Sequence, residues 1–151
     1  MQSKSAANYS NAALARVEAL KNGYDEAIML NNKGNVAEGS AENIFVVKNG
    51  VIKTPPLDAD ILNGITRDSV IQLIKKEHMK LVEKNITVNE LLKADEVFMT
   101  GTAAEVKSVT KIDKNAIGNG SVGEITKELQ KSFMNIVMGK DKRFVRWLTC
   151  L

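Results

Sequence analysis

Residues 38–43 read Glu-Gly-Ser-Ala-Glu-Asn and place two carboxylates around three small residues in a strand-like stretch. A buried carboxylate is costly unless a cation or hydrogen-bond donors face it, so packing alone does not explain this pattern. The small residues at positions 39–41 would let the backbone approach a flat ligand closely. We therefore predict a site that holds a cationic ring, with Glu38 facing the ring and Glu42 in a structural role.

Two further segments have the composition of anion-binding turns. Residues 63–66, Asn-Gly-Ile-Thr, lead into a predicted helix, whose N-terminus attracts phosphate through its free N–H groups and the helix dipole. The Thr66 hydroxyl could instead cap that helix, which is the commoner role for a threonine at such a position. Residues 100–104, Thr-Gly-Thr-Ala-Ala, could offer backbone N–H groups to a carboxylate or phosphate, although such a segment is more often only a tight turn.

A third glycine-rich segment, residues 118–123, fits the pattern G-x-G-x-x-G and precedes a predicted helix. Ser121 and Glu124 have the spacing of a capping box, which predicts a carboxylate where a dinucleotide phosphate would bind. The preceding residues 111–117 are not an apolar strand either. We interpret the segment as a turn and helix cap, not as a dinucleotide site.

Helical spacing of apolar residues predicts three long helices, over residues 5–21, from Thr66 onwards, and from about Val122 to Met138. The run Thr87-Val88-Asn89-Glu90 has the spacing of a capping box and predicts a short further helix. In the first helix we expect an inward-facing, mostly alanine stripe formed by Ala6, Tyr9, Ala13, Val17 and Leu20.

Short apolar runs predict seven strands, over residues 26–30, 35–38, 43–48, 51–54, 81–84, 97–100 and 106–112. The third and fourth are joined by Asn49-Gly50, the best two-residue hairpin signal in the chain. Strands and helices are interleaved without a regular period. This indicates the α+β class with a mixed, strongly bent sheet, not a doubly wound fold.

Composition limits the class of protein. We expect a chain of 151 residues to form a single domain, and its net charge of +3 is too mild and too interspersed to predict a nucleic-acid partner. No apolar run is long enough for a membrane span, so no membrane partner is expected. With one cysteine, Cys150, and one histidine, His78, the sequence favours a reducing cytoplasm and predicts no metal site.

Five segments carry a resemblance to a known family: residues 4–9, 38–45, 54–57, 64–68 and 94–105. They read Lys-Ser-Ala-Ala-Asn-Tyr, Glu-Gly-Ser-Ala-Glu-Asn-Ile-Phe, Thr-Pro-Pro-Leu, Gly-Ile-Thr-Arg-Asp and Ala-Asp-Glu-Val-Phe-Met-Thr-Gly-Thr-Ala-Ala-Glu. In this order and spacing they resemble the fold-type IV (class IV) pyridoxal-phosphate aminotransferases, most closely the branched-chain amino-acid aminotransferases. The resemblance is to the C-terminal domain of that family, which implies a barrel-like sheet flanked by helices.

The resemblance also implies roles for individual residues. Lys4 is the implied catalytic residue, which would bind pyridoxal phosphate covalently and later move a proton between substrate and cofactor. The other implied cofactor contacts are Tyr9 at the 3′-oxygen, Glu38 at the pyridine nitrogen, and Ile65, Thr66 and Thr102 at the phosphate. The turn formed by Gly101, Thr102 and Ala103 would receive the substrate carboxylate.

The implied reaction is transamination of leucine, isoleucine and valine with 2-oxoglutarate, and it explains these residue types. The cofactor ring takes up the electrons released at the substrate Cα. A buried carboxylate at the ring nitrogen, here Glu38, favours the protonated, electron-withdrawing ring. Beside a cationic cofactor the Lys4 amine is neutral and can act as a base near neutral pH.

The sequence departs from the family pattern in three places. Asn63 stands where the family usually has proline, and Ala41 replaces a frequent glycine. The N-terminal domain of the family would precede Lys4, where only three residues stand, and it would carry much of the side-chain pocket. We therefore expect this chain alone to bind the cofactor weakly, to turn over little, and to form homo-oligomers.

Two alternative functions stay open. The chain could be a non-catalytic remnant that folds and self-associates through surface that the other domain would cover. It could also be a relative of the D-amino-acid aminotransferases or aminodeoxychorismate lyases, although residues 101–105 look more like the branched-chain enzyme.

Overall fold

Four α-helices, ten strands and a 3-10 helix make up residues 9–149, the part of the chain that the computed structural model describes. The helices are α1 (Tyr9–Lys21), α2 (Ile65–Lys76), α3 (Val88–Leu92) and α4 (Glu124–Val137), and the 3-10 helix spans Lys142–Trp147. The strands are β1 (Ile28–Leu30), β2 (Asn35–Gly39), β3 (Asn43–Lys48), β4 (Val51–Thr54), β5 (Lys80–Glu83), β6 (Ile86–Thr87), β7 (Glu96–Gly101), β8 (Glu105–Val109), β9 (Lys111–Ile112) and β10 (Asn115–Ala116). The predicted α+β class is confirmed. None of the helices in this part of the chain has the length and apolar character needed to cross a membrane.

Eight of the strands form one sheet, with β3 at its centre. Strand β3 pairs antiparallel with β4 on one side and with β7 on the other, and β8 extends the sheet beyond β7. Strand β5 is added parallel to β4, so the sheet is mixed, as predicted. Among the described strands the pairings do not close into a barrel, and β9 and β10 form a separate two-stranded ribbon.

A single residue pair joins β2 to β3, because only Glu38 and Asn43 lie opposite each other. Elsewhere β2 pairs with β1 and β6. The chain therefore passes from one part of the sheet to the other within residues 38–43. This junction is the segment in which the sequence places two carboxylates among small residues.

Both faces of β3 are buried, which explains its unbroken apolar run. On one face Phe45 stacks on Phe98, its partner in β7, with ring centroids 4.8 Å apart, and side chains of α2 and α4 pack around them. On the other face Ile44 and Val46 pack in a second apolar cluster. Each large apolar side chain buried in this way contributes about 1.5–3 kcal/mol, so two core clusters hold β3 in place.

Two local signals in the sequence are confirmed. Asn49 and Gly50 have φ angles of 50° and 71°, as a two-residue hairpin turn between β3 and β4 requires. Thr87 and Glu90 form the expected capping box at the start of α3. The Thr87 hydroxyl accepts a hydrogen bond from the Glu90 N–H at 3.2 Å, and the Glu90 carboxylate accepts one from the Thr87 N–H at 3.1 Å.

The predicted buried stripe on the first helix is wrong for the residues that the structure describes. Helix α1 has no buried residue, and Val17 and Leu20 are 48% and 54% exposed. Leu14, on the same side of the helix, is 70% exposed. The helical spacing of apolar residues predicted the helix correctly. That spacing does not show whether another element covers the apolar face.

The capping box predicted for the last helix, Ser121 with Glu124, is also wrong. The N-cap of α4 is Gly123, which makes no side-chain hydrogen bond. Instead the carboxylate of Glu96, from β7, accepts hydrogen bonds from the backbone N–H groups of residues 125 and 126 at 3.1 and 2.7 Å. A carboxylate thus occupies this helix N-terminus, although it comes from another element, and the glycine-rich motif stays a turn.

Candidate functional site

The candidate site is built around Glu38, which is half-buried near the end of β2. One of its oxygens, Oε2, accepts two hydrogen bonds, from the Asn43 side-chain Nδ2 at 3.1 Å and from the backbone N–H of Leu62 at 2.9 Å. Both donors hold the same oxygen. The orientation of the carboxylate is therefore set by groups from β3 and from the loop before α2.

The environment of Glu38 raises its pKa above the usual glutamate value. Burial is the largest cause, and the negative charge of Glu42 adds to it, while the hydrogen bond from Leu62 acts in the opposite direction. A cation or hydrogen-bond donor that approaches the other oxygen of such a carboxyl stabilises its charged form. The geometry and the charge together suit an acceptor for a protonated ring nitrogen.

The loop that enters α2 lies against the same carboxylate. Asn43 Nδ2 also donates to the backbone carbonyl of Leu62, at 2.8 Å. A side chain at Gly64 would meet the Asn43 amide oxygen, since a Cβ built there lies 2.2 Å from Oδ1. Only glycine permits this approach. The turn before α2 is therefore placed directly beside the pair Glu38–Asn43.

Helix α2 begins without a side-chain cap, which bears on the alternative left open for Thr66. The helix starts at Ile65, its N-cap is Gly64, and no side chain in the described part of the chain makes a capping hydrogen bond. The capping role considered for the Thr66 hydroxyl is therefore wrong. The N–H groups at the start of a helix have no partner within the helix, so those of Ile65 and Thr66 suit an anion.

The third predicted segment reaches the same junction from β7. Asn43 lies opposite Thr100, as it lies opposite Glu38 on its other side. Opposed residues project to the same face of a sheet, so Glu38, Asn43 and Thr100 form one polar row across β2, β3 and β7. The Thr100 hydroxyl is buried and has no hydrogen-bond partner among residues 9–149.

The turn that follows β7 packs closely on the segment that carries the carboxylates. Gly101 pairs with Glu105 across the turn, whose residues Thr102 and Ala103 are exposed. A Cβ at Gly101 would lie 3.2 Å from Glu42 Cγ and 3.4 Å from the Ala41 carbonyl oxygen. The predicted carboxylate-binding turn is thus next to residues 38–43.

Glu42 faces a second set of charges on the far side of the junction. Burial raises its pKa, the neighbouring Glu26 adds to this, and the N–H of Ala41 opposes it with a hydrogen bond of 3.1 Å. Glu26 forms an ion pair with Arg16 of α1 and accepts a long hydrogen bond, 3.4 Å, from the Ser40 N–H. These contacts attach α1 to the junction and suit the structural role predicted for Glu42.

The structure therefore brings together three of the predicted groups. Glu38, the start of α2 and the turn at residues 101–103 meet at one junction. Tyr9 is the first residue of α1 and is half-buried. Lys4 lies outside the residues that the structure describes, so its place at the site stays a prediction. Sequence reasoning missed Asn43 and Leu62 as site residues, and only the presence of Asn43 in the quoted motif could have pointed to it.

In sequence the chain is similar to proteins named branched-chain aminotransferases. It is 56% identical over 147 residues to a probable branched-chain-amino-acid aminotransferase of Aquifex aeolicus (strain VF5), a match that covers 97% of this chain and 47% of the relative. It is 48% identical over 148 residues to the branched-chain-amino-acid aminotransferase of Pseudomonas aeruginosa, covering 98% of this chain and 48% of that protein.

Solved structures give the same comparison. The T.th. branched-chain amino acid aminotransferase complexed with N-(5'-phosphopyridoxyl)-L-glutamate matches with a TM-score of 0.95 at 44% identity, over 97% of this chain and 50% of that one. The enzyme of Thermoproteus uzoniensis with norvaline matches with a TM-score of 0.94 at 46% identity, over 97% and 48%. The chain thus spans about half the length of the relatives it matches. A family model described as amino-transferase class IV matches residues 3–112, and the chain belongs to the class IV aminotransferase family.

Proposed function

We propose that residues 1–151 form one domain, the C-terminal, cofactor-binding domain of a branched-chain aminotransferase. The reaction is the transamination of leucine, isoleucine and valine with 2-oxoglutarate, and the cofactor is pyridoxal 5'-phosphate. The names of the relatives support the reaction, and the relative in complex with a phosphopyridoxyl compound supports the cofactor. These names also favour the branched-chain enzyme over a D-amino-acid aminotransferase or a lyase.

The observation that carries the proposal is that a carboxylate suited to a cation and a helix start suited to an anion lie at one junction. Glu38 offers a half-buried carboxylate whose Oε2 is already held by two donors, which leaves Oε1 for a cationic partner. Beyond Leu62, α2 begins at Ile65 with no side-chain cap from residues 9–149, and the first N–H groups of a helix have no partner within it. A flat ligand with a basic ring nitrogen at one end and a phosphate at the other fits this pair of groups.

The residues of this chain would divide the binding of the cofactor between them. Glu38 accepts a hydrogen bond from the protonated ring nitrogen, and its negative charge keeps that nitrogen protonated. Ile65 and Thr66 hold the phosphate through their N–H groups, and Thr66 adds its hydroxyl. Thr102 is proposed as a further phosphate contact, and Tyr9 as a donor to the 3′-oxygen of the ring.

The substrate would be held and deprotonated by residues close to the ring. When bound, pyridoxal phosphate supplies an electron sink for the bond that breaks at the substrate Cα. Lys4, to which the resemblance assigns the cofactor, would hold it and would move the proton at Cα as a neutral amine. The backbone of Gly101, Thr102 and Ala103 would hold the substrate carboxylate.

Three coarser proposals concern the protein as a whole. We place it in the cytoplasm, since its one cysteine suits a reducing compartment. We propose that it forms homo-oligomers, which the exposed apolar residues of α1 support. We also propose that the sheet curves in a barrel-like way, as the single-pair junction between β2 and β3 would allow.

Titration with pyridoxal phosphate tests the cofactor proposal. The wild-type chain should develop a visible absorption band as the cofactor binds to Lys4, with weak affinity because the chain spans about half the length of its relatives. Lys4→Ala should lose the band. Lys53→Ala, a change in β4 away from the junction, should retain it. A band that survives in Lys4→Ala would remove Lys4 from its role.

A turnover assay separates the candidate reactions. Leucine with 2-oxoglutarate should give slow product formation, and D-alanine with the same acceptor should give less. Robust turnover would show that the aligned half of the relatives suffices for catalysis. Cofactor binding with no turnover of either substrate would favour the non-catalytic alternative.

A further inference from the structure

We propose that Asn43 is a positioning residue, whose side-chain amide holds Glu38 Oε2 and the turn before α2 as one unit and so leaves Glu38 Oε1 as the acceptor for the ligand. The proposal deepens the proposed function, on which its meaning for catalysis rests. No substrate or cofactor contact is assigned to Asn43 itself.

The first support is the closed set of hydrogen bonds around the Asn43 amide. Its Nδ2 donates to Glu38 Oε2 at 3.1 Å and to the Leu62 carbonyl at 2.8 Å. The Leu62 N–H donates back to the same Glu38 oxygen at 2.9 Å. Three residues from β2, β3 and the loop are thereby linked in a ring, so none of them can shift without breaking a bond.

The second support is the place of Asn43 in the fold. The residue is 5% exposed, and it lies opposite Glu38 on one side and Thr100 on the other. It is therefore a polar residue at the centre of a sheet, where an apolar side chain would pack without the need for partners. Its two donor hydrogens are both used, and both go to groups that adjoin the proposed ligand.

The third support is the approach of Gly64 to the other end of the same amide. A Cβ at Gly64 would come within 2.2 Å of Asn43 Oδ1, so the loop backbone rests on this oxygen. The next residue, Ile65, is the first residue of α2. One side chain thus contacts both the carboxylate proposed for the ring nitrogen and the turn proposed for the phosphate. These contacts fix the distance between Glu38 and the turn before α2.

The experiment compares Asn43→Ala with Val46→Ala in the cofactor-free chain. Val46 is buried in the same strand and its loss also weakens the fold, but it packs in the apolar cluster on the face of β3 opposite to Asn43. Carbon NMR of the Glu38 carboxyl, followed over pH, reports its pKa. Loss of one donor to a carboxylate should raise this pKa by about one pH unit in Asn43→Ala, and Val46→Ala should leave it unchanged. The charges facing Glu38, chiefly Glu42, are the same in all three proteins.

A second variant and a second measurement keep the proposal testable if Asn43→Ala does not fold. If Asn43→Ala does not fold, Asn43→Ser keeps one donor and should give a smaller rise. Amide hydrogen exchange at Leu62 should be at least about tenfold faster in either Asn43 variant than in Val46→Ala, since only the former lose the bond to its carbonyl. An unchanged Glu38 pKa in both Asn43 variants, or an equal rise in Val46→Ala, would overturn the proposal.

The two proposals fail in different ways. If the Asn43 variants shift the Glu38 pKa but the wild-type chain shows no visible band with pyridoxal phosphate, the positioning role stands and the proposed function falls. If the band forms and the Glu38 pKa does not move, the proposed function stands without Asn43. If both hold, Asn43→Ala should bind the cofactor about tenfold more weakly than Val46→Ala.

Discussion

Glu38 shows how a single side chain can be prepared for a cationic partner before that partner arrives. Its surroundings raise the pKa of its carboxyl, because burial outweighs the hydrogen bond from Leu62. The same surroundings fix its orientation through Asn43 and Leu62. A protonated ring nitrogen would therefore stabilise the charged form of Glu38. Without such a partner, ionisation of Glu38 would lower the stability of the folded chain.

The first prediction is that Glu38 lowers stability as the pH rises. Its pKa is raised in the folded chain, so its contribution is fully present below about pH 4.3, the value for an unfolded chain, and is lost as the pH rises through the folded value. A tenfold difference in the acid constant corresponds to about 1.4 kcal/mol. Glu38→Gln should therefore gain stability relative to the wild type between pH 4 and 7, measured by urea unfolding in the absence of cofactor.

The control for this prediction is Glu128→Gln, an exposed change on α4. It removes one surface carboxylate, so it controls for the change in net charge. Glu38→Gln also removes the repulsion between Glu38 and Glu42, so the measured difference includes this mutual repulsion. A Glu38→Gln difference that is flat from pH 4 to 7 would mean that Glu38 is not strained by burial.

At this scale the sequence predicted residue types better than residue partners. Glu38 was predicted from two carboxylates among small residues, since such a pattern has no packing purpose. The role of Asn43 was missed, because its partner Leu62 lies 19 positions away and acts through its backbone, which leaves no trace in side-chain type. The alternative for Thr66 was decided by Gly64, because a helix that starts one residue earlier has no need of that hydroxyl.

Among the elements, the starts of two helices differ in a way that can be measured. Helix α3 is capped by the Thr87 hydroxyl, whereas α2 begins with no side-chain cap. Thr87→Ala should cost about 1 kcal/mol, the usual loss for an N-cap. Thr66→Ala should change the unfolding free energy by less than about 0.5 kcal/mol in the cofactor-free chain.

Urea unfolding of the two variants side by side checks this second prediction, and the cofactor adds a further contrast. With pyridoxal phosphate present, Thr66→Ala should bind more weakly and Thr87→Ala should bind as the wild type does. Equal losses of stability in the two variants would give Thr66 a structural role and weaken its assignment to the phosphate.

The third prediction concerns the start of α4, where Glu96 acts as a cap from another element. Its carboxylate accepts bonds from the N–H and hydroxyl groups of Thr126, both at 2.7 Å, as well as from the Ile125 N–H. Glu96→Ala would leave a buried hydroxyl and two N–H groups without partners. We expect a loss of about 2–3 kcal/mol, measured by urea unfolding.

Glu128→Ala, on the exposed side of the same helix, is the matched control, and it should change stability by no more than about 0.5 kcal/mol. Glu96→Gln keeps one acceptor oxygen and should lie between the two. If Glu96→Ala were as mild as the control, water would replace the carboxylate at this helix start without loss.

The elements that the sequence predicted well are those with local causes. The hairpin between β3 and β4 follows from Asn49 and Gly50, which adopt the positive φ angles that its turn requires. The predicted strand over residues 106–112 is divided into β8 and β9, and the 3-10 helix at Lys142–Trp147 was not predicted. That helix makes long-range contacts, such as the ion pair of Arg143 with Glu77 at 2.7 Å. Contacts of this kind cannot be predicted from a local sequence pattern.

For the molecule as a whole, the site lies where the sheet changes partners. Strand β3 is buried on both faces and holds Asn43 at its first position, so the core sets the place of the polar row. The mixed sheet could be inferred from the irregular alternation of strands and helices. The outcome for α1 could not, because the helical spacing of Val17 and Leu20 predicts a buried face whether or not another part covers it. In the structure both are exposed, as is Leu14 on the same side of the helix.

The fourth prediction is that this α1 face mediates association between copies of the chain. Its three large apolar residues are 48–70% exposed, and such surface favours contact with a partner. The double change Leu14→Gln and Val17→Gln should reduce self-association, because it removes apolar surface from the face. Stability should change by less than about 0.5 kcal/mol per site, since both residues are exposed in the single chain.

Sedimentation velocity over a range of concentrations measures the change in self-association, and urea unfolding measures the change in stability. Val145→Gln, an exposed apolar residue on the 3-10 helix, should associate as the wild type does. A wild type that stays monomeric at all concentrations, or a double variant that associates equally well, would show that this face does not join copies of the chain.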